Sequence, residues 1–100
     1  MPDNFSLSQK ARQDLSEIWS YTAERWSEHQ ADKYFDSIIN ACQKIGQGTM
    51  PARSFSDILP DLLGIRVGRH LIFFKTSSSG SVEVLRILHE SMDHCVHVGI

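Results

Sequence analysis

The fold is decided by residues 63–89, which read LGIRVGRHLIFFKTSSSGSVEVLRILH. Apolar, β-branched and aromatic side chains fill three runs of strand length, over 63–67, 70–75 and 81–89. Gly68 and Arg69 separate the first two runs and suit a type II′ turn, because glycine tolerates the positive φ of its first central position. The polar residues 76–80 form the second connection. The stretch therefore predicts an antiparallel meander of three strands.

The sequence before this stretch has the period of helices. From Ser8, which suits an N-cap, apolar positions recur every three or four residues and so share one helix face: Ala11, Leu15, Ile18, Trp19 and Thr22. Ser27 and Gln30 have the spacing of a capping box, and a second apolar stripe runs from there to Ile45 before Gly46. The pattern predicts two helices that form an antiparallel hairpin.

Residues 1–100 are expected to form a single domain, because this length is typical of one domain. Phe5 and Leu7 alternate with polar neighbours, which predicts a short N-terminal strand. The order is then β-α-α-β-β-β, and we expect an α+β fold in which the helical hairpin packs on one face of an antiparallel sheet. A domain of this size has little room for a large cavity, so function is expected on a surface.

Charge is divided unevenly along the chain. Ten basic and twelve acidic side chains give a formal net charge of -2, which provides no overall attraction to nucleic acid or to an acidic membrane. Residues 1–61 hold six basic and nine acidic side chains, whereas residues 62–89 hold four basic and one acidic. A basic patch on the strands is therefore expected, although strand cations also serve simply to keep an open sheet face soluble.

No segment of the sequence has the pattern of a signal peptide or of a membrane-spanning helix, so a cytoplasmic protein is expected. The two cysteines, Cys42 and Cys95, are too few for a disulfide framework, and Cys42 is expected in the helical core. His94, Cys95 and His97 cluster near the end without a separated second pair of ligands, so we expect neither a metal site nor a cofactor.

Four blocks in order resemble the ParE toxins of bacterial type II toxin–antitoxin modules. They are L-S-x-x-A-x-x-D-L-x-x-I-W-x-Y (7–21), W-x-x-x-Q-A-x-x-Y (26–34), G-x-H-x-I-F-F (68–74) and R-I-L-H-x-x-M-D (86–93). This resemblance implies the RelE/ParE fold. It also implies a cytosolic toxin without enzymatic activity that binds and inhibits DNA gyrase, arrests growth, and forms a hetero-oligomer with a ParD-type antitoxin.

Two alternatives stay open at this point. RelE-like toxins share the fold and cleave messenger RNA on the ribosome, in many members with a tyrosine near the C-terminus. Here the only tyrosines, Tyr21 and Tyr34, lie on predicted helices, and His70 or His89 would have to supply the acid–base chemistry. The other alternative is a non-toxic remnant that only binds an antitoxin.

The candidate contact residues follow from the strand charges and from the last block. We expect the target, through acidic protein surface or DNA phosphate, to be contacted by Arg66, Arg69, Arg86, His89, Met92 and Asp93. Charge reversal at Arg69 or Arg86 is expected to abolish toxicity without unfolding the domain. An apolar groove for the amphipathic segment of the antitoxin is expected to include Trp19, Trp26, Phe55 and Ile58.

Overall fold

A computed structural model describes residues 5–92 of the chain. It confirms the predicted order of helices and strands and adds one short strand. The elements are β1 (Phe5–Leu7), α1 (Gln9–Arg25), α2 (Glu28–Gly46), β2 (Arg53–Ser54), β3 (Leu63–Val67), β4 (His70–Thr76) and β5 (Val82–His89).

Both helices begin at the predicted serines. The Ser8 side chain accepts a hydrogen bond from the Ala11 N–H at 3.0 Å, and the Ser27 side chain accepts one from the Gln30 N–H at 3.0 Å. Each serine thereby satisfies a backbone donor that the first helical turn leaves without an intrahelical partner. α1 and α2 form the predicted helical hairpin on one face of the sheet.

The sheet has the strand order β1-β5-β4-β3-β2, and two of its features differ from the prediction. β1 pairs with β5 in parallel, so the sheet is mixed and not fully antiparallel. The polar edge strand β2 was not predicted, because two exposed residues carry no strand pattern; it pairs antiparallel with the start of β3. A register shift at Phe73 and Phe74 places a bulge in β5 opposite them.

Two apolar clusters lie on opposite faces of the sheet, as the alternation along β4 requires. Ile72 and Phe74 pack toward the helices with the main cluster, which also contains the fully buried Cys42. Burial raises the pKa of the Cys42 thiol to about 11. Phe73 points to the other face, where it packs with residues from the segment between β2 and β3. The helices therefore cover one face, and a short irregular segment covers part of the other.

Between residues 5 and 92, neither helix is both long enough and apolar enough to cross a lipid bilayer.

Candidate functional site

A tyrosine on α2, Tyr34, forms hydrogen bonds with the turn between β3 and β4. The Tyr34 hydroxyl donates to the Val67 carbonyl at 3.1 Å, accepts from the Arg69 N–H at 3.2 Å, and lies 2.6 Å from Nδ1 of His70. Gly68 has a φ of 58°, as the predicted type II′ turn requires. Three contacts to one hydroxyl fix this turn relative to the helices, and burial raises the pKa of Tyr34.

Two arginines, Arg66 at the end of β3 and Arg69 in the turn, share one carboxylate. Arg66 forms an ion pair with Oε1 of Glu90, and Nη1 of Arg69 lies 3.6 Å from Oε2 of the same residue. The side chains of Arg66 and Arg69 are 61% and 79% exposed. The Glu90 N–H also donates to the Arg69 carbonyl at 2.9 Å. We call Arg66 and Arg69 the arginine pair; beside Glu90 it has an excess of one positive charge.

Next to the arginine pair, a groove of about 500 Å³ runs between α1 and the end of β5. We call it the α1–β5 groove. Its lining is more apolar than polar, and it consists of Asp14, Glu17, Ile18, Tyr21, Thr22, His70, Ile87, Leu88, His89, Ser91 and Met92. Tyr21 is 63% exposed and Met92 is 44% exposed, which is unusual for large apolar side chains.

Two histidines face each other across β4 and β5 in this groove. His70 and His89 are cross-strand neighbours, and their rings lie perpendicular with centroids 5.3 Å apart. Burial, with a smaller contribution from His89, lowers the pKa of His70 to about 4, although Glu90 and Asp14 act in the opposite direction. His70 is therefore neutral at pH 7. The Ser91 N–H donates to Nδ1 of His89 at 3.1 Å, which fixes that ring at the end of β5.

Arg86 does not lie with the other candidate residues. Its Nε and Nη2 atoms donate to the Asp14 carboxylate on α1 at 2.8 and 2.9 Å, and that carboxylate also accepts from the Ile87 N–H at 3.0 Å. The hydrogen bond to Asp14 raises the pKa of Arg86. Because this pair joins α1 to β5, the structure leads us to expect that charge reversal at Arg86 destabilises the domain, in contrast to the prediction from the sequence.

The four strand cations thus do not form one basic surface. Arg66 lies in β3 and Arg69 in the turn before β4, Lys75 lies near the other end of β4, and Arg86 is paired with Asp14. The structure does bring four of the candidate residues into one region. These are Arg66 and Arg69, which form the arginine pair, and His89 and Met92, which line the adjoining α1–β5 groove. Asp93 lies outside the described residues, as do His94, Cys95 and His97.

The residues expected to line an antitoxin groove do not come together. Trp19 lies on the helical hairpin, where its Nε1 donates to Asp32 at 2.9 Å, and Trp26 at the end of α1 is 72% exposed. Phe55 and Ile58 pack with Phe73 on the opposite face of the sheet. One groove containing all four residues is therefore wrong, because the sheet separates the two pairs.

No group of three or more histidine, cysteine or carboxylate side chains among residues 5–92 is placed to hold a metal ion.

The low pKa of His70 predicts a loss of stability in mild acid. The unfolded chain takes up a proton near pH 6.5 and the folded chain only near pH 4, so the unfolded state binds more protons between these values. We expect the free energy of unfolding to fall by about 1 kcal/mol between pH 7 and pH 5, allowing for solvent screening at this partly exposed site. Urea denaturation at both pH values measures it.

Two variants distinguish this histidine from other titrating groups. His70→Gln should remove most of the loss between pH 7 and pH 5, whereas the same substitution at the exposed His29 on α2 should leave it unchanged. An identical pH dependence in the wild type and in His70→Gln would show that His70 is not responsible.

A family model described as the ParE toxin of the type II toxin–antitoxin system, parDE, matches residues 5–94, which include both helices and all five strands. The chain belongs to the ParE toxin family. It is accordingly a ParE-type toxin of a type II toxin–antitoxin system, with an antitoxin as its partner.

Curated relatives extend over nearly the whole length of this toxin. It is 30% identical to Toxin ParE1 of Mycobacterium tuberculosis over 93% of the chain and 95% of that protein. It is 27% identical to Toxin ParE1 of Caulobacter vibrioides, with 95% and 97% covered, and 28% identical to Toxin ParE of Escherichia coli, with 89% and 86% covered.

A solved structure of the chromosomal ParDE system from P. aeruginosa has the same fold. The TM-score is 0.72 at 17% identity, and the match covers 87% of this chain and 95% of the other. The family resemblance and the fold class expected from the sequence are thereby confirmed.

Two residues that build the candidate site, Asp14 and Tyr34, were not identified from the sequence. Asp14 stands in the first resemblance block and Tyr34 ends the second, but helical periodicity alone gives neither of them a special role. A polar residue at a helix position next to the apolar stripe was the available signal for Asp14. For Tyr34, the hydroxyl gave no local indication that it would reach the β3–β4 turn.

Proposed function

We propose that this toxin acts in the cytoplasm by binding DNA gyrase and inhibiting it, without catalysis of its own, and that a ParD-type antitoxin neutralises it. Residues 1–100 would form one domain that carries both interactions. The observation that carries the proposal is the family match over residues 5–94, together with relatives named as ParE toxins at nearly full length.

The surface that suits target binding is the arginine pair with the neighbouring end of β5. Arg66, Arg69, His89 and Met92 lie there, and Asp93 follows directly in the sequence. The exposed guanidinium groups can bind carboxylates in two-pronged geometry. Arg86 supports this surface indirectly, because its ion pair with Asp14 fixes β5 against α1.

Messenger RNA cleavage of the RelE type receives less support from the same surface. In-line cleavage needs positive charge around the phosphate, but in the α1–β5 groove Arg86 is already paired with Asp14, and the exposed Glu17 adds a negative charge near the two histidines. His70 is neutral at pH 7 and its Nδ1 already contacts the Tyr34 hydroxyl. The geometry favours a protein that works by binding.

Purified toxin added to DNA gyrase tests the proposal directly. We expect loss of supercoiling and altered DNA cleavage by gyrase, with messenger RNA left intact in a parallel translation assay. Cleaved messenger RNA would instead support the RelE-type activity, and no effect in either assay would favour a non-toxic remnant. Arg69→Glu should raise the half-inhibitory concentration at least about tenfold, since a close charge contact contributes more than about 1.4 kcal/mol.

The matched control for Arg69→Glu is Arg53→Glu, another charge reversal at an exposed position, on the edge strand β2 away from the turn. Both variants should keep the unfolding temperature of the wild type. Equal inhibition by Arg69→Glu and wild type would remove Arg69 from the target surface while leaving gyrase inhibition itself established.

A further inference from the structure

We infer that the α1–β5 groove and the arginine pair form one docking site for a protein segment that carries an apolar side chain beside a carboxylate. The inference rests on the proposed function: the segment belongs to the inhibited enzyme, and this part of the toxin contacts protein and not DNA. It adds Tyr21 and the other apolar side chains of the α1–β5 groove to the target surface. It also specifies the chemistry of the protein segment that binds there.

The apolar half of the site has two exposed walls. Tyr21 on α1 and Met92 after β5 are two of the three exposed large apolar side chains among residues 5–92, and both line the same groove. Ile18 and Ile87 also line the groove, and Ile87 is buried in the helix-facing cluster. A volume of about 500 Å³ accommodates one or two large side chains. Exposed apolar side chains gathered around a groove are typical of a binding surface.

The charged half of the docking site consists of the arginine pair and Glu90, and it lies next to the groove. Glu90 stands between His89 and Ser91, which both line the groove, and its carboxylate is shared by Arg66 and Arg69. Arg69 is 79% exposed and its contact with Glu90 is long, at 3.6 Å. A guanidinium has five N–H donors, so Arg69 can bind an incoming carboxylate while Glu90 stays in place. An acidic residue next to the apolar one would therefore meet the arginine pair.

The charges around the site favour protein over nucleic acid. A DNA backbone presents a row of phosphates and requires several cations along its path. Here Glu90 neutralises half of the arginine pair, the Asp14 carboxylate in the groove is paired with Arg86, and the groove also presents the exposed Glu17. A single carboxylate fits the one excess positive charge, whereas a continuous polyanion would also meet Glu90 and Glu17.

The site is also rigid, which lowers the entropic cost of binding. The arginine pair comes from the end of β3 and the turn that follows it, and the Tyr34 hydroxyl binds this turn through Val67 and Arg69. Asp14 joins α1 to β5 through Arg86 and the Ile87 backbone, so the two walls of the groove are tied together.

Binding of the toxin to DNA-free gyrase tests the inference. Wild type and variants are measured against the immobilised, purified holoenzyme at two salt concentrations. Tyr21→Glu and Met92→Glu should each weaken binding at least tenfold, because a charge enters the apolar half of the site. Trp26→Glu is the matched control: it is a similarly exposed aromatic residue outside the groove, and binding should change less than twofold.

The outcomes separate the inference from the proposed function. If the wild type binds and inhibits gyrase but Tyr21→Glu and Met92→Glu bind equally well, the docking site is wrong and gyrase inhibition stands. Binding that appears only with DNA and falls steeply with salt would also overturn the inference, in favour of phosphate contact. A wild type that neither binds nor inhibits gyrase would overturn both. Circular dichroism of each variant excludes unfolding as the cause of lost binding.

Discussion

Replacing Asp14 with alanine should lower the free energy of unfolding by about 3 kcal/mol, since it breaks a largely buried ion pair by removing one of the two charges. The side chains of Asp14 and Arg86 are only 11% and 17% exposed. The Asp14 carboxylate accepts two hydrogen bonds from Arg86 and one from the Ile87 N–H, so the substitution removes the partner of a cation and of a backbone donor. Urea denaturation at pH 7 measures the loss.

The position of the Asp14–Arg86 contact explains why its loss is expected to lower the free energy of unfolding by this much. Among the described residues, β1 pairs with residues 82–84 of β5. Just beyond them, the Ser8 hydroxyl donates to the Leu85 carbonyl at 2.7 Å. Asp14 on α1 then accepts from the Ile87 N–H, so the start of α1 continues the contact with β5 where β1 ends.

Two further variants isolate the contribution of the ion pair. Glu24→Ala removes an exposed carboxylate from the same helix and should cost less than about 0.5 kcal/mol. Asp14→Ala combined with Arg86→Met should be more stable than Asp14→Ala alone, because an apolar side chain then replaces the guanidinium that lost its carboxylate. A loss in Asp14→Ala no larger than that in Glu24→Ala would show that the pair does not hold α1 to β5.

The helices and the three long strands could be predicted because local sequence determines them. Ser8 and Ser27 bind backbone donors three residues away, and the apolar stripes follow the helical period. Gly68 indicates the position of the turn, because glycine permits the positive φ that the turn needs. Each of these signals lies within a few residues of the structure it specifies, so no knowledge of the tertiary fold was needed.

The contacts that build the site could not be predicted, because they join distant parts of the chain. Asp14 and Arg86 are separated by 72 residues, and Tyr34 reaches residues 33 to 36 positions away. The direction of β1 is also set by its partner, since Phe5 and Leu7 alternate equally well in a parallel or an antiparallel pair. Pairing of Arg86 with a helix carboxylate explains why counting strand cations overestimated the basic surface.

Substituting Gly68 with alanine should also lower the free energy of unfolding by about 3 kcal/mol, through two separate costs. A φ of 58° costs an L-residue about 1–2 kcal/mol relative to glycine. In addition, the new Cβ would lie 2.7 Å from the Tyr34 hydroxyl oxygen and 2.8 Å from its Cε1 atom. The ring can retreat only by giving up hydrogen bonds to Val67 and Arg69, which adds a further overpacking cost of about 1–2 kcal/mol.

Gly48→Ala separates the two costs, because Gly48 has a similar φ of 74° but no atom within 4 Å of the position that its new methyl group would occupy. Its loss, about 1–2 kcal/mol, should reflect backbone strain alone. The excess loss in Gly68→Ala then measures how firmly Tyr34 is held beneath the turn. Equal losses in the two variants would mean that the tyrosine yields easily. The turn that carries Arg69 would then be flexible, and Gly68→Ala would leave the affinity for the target unchanged.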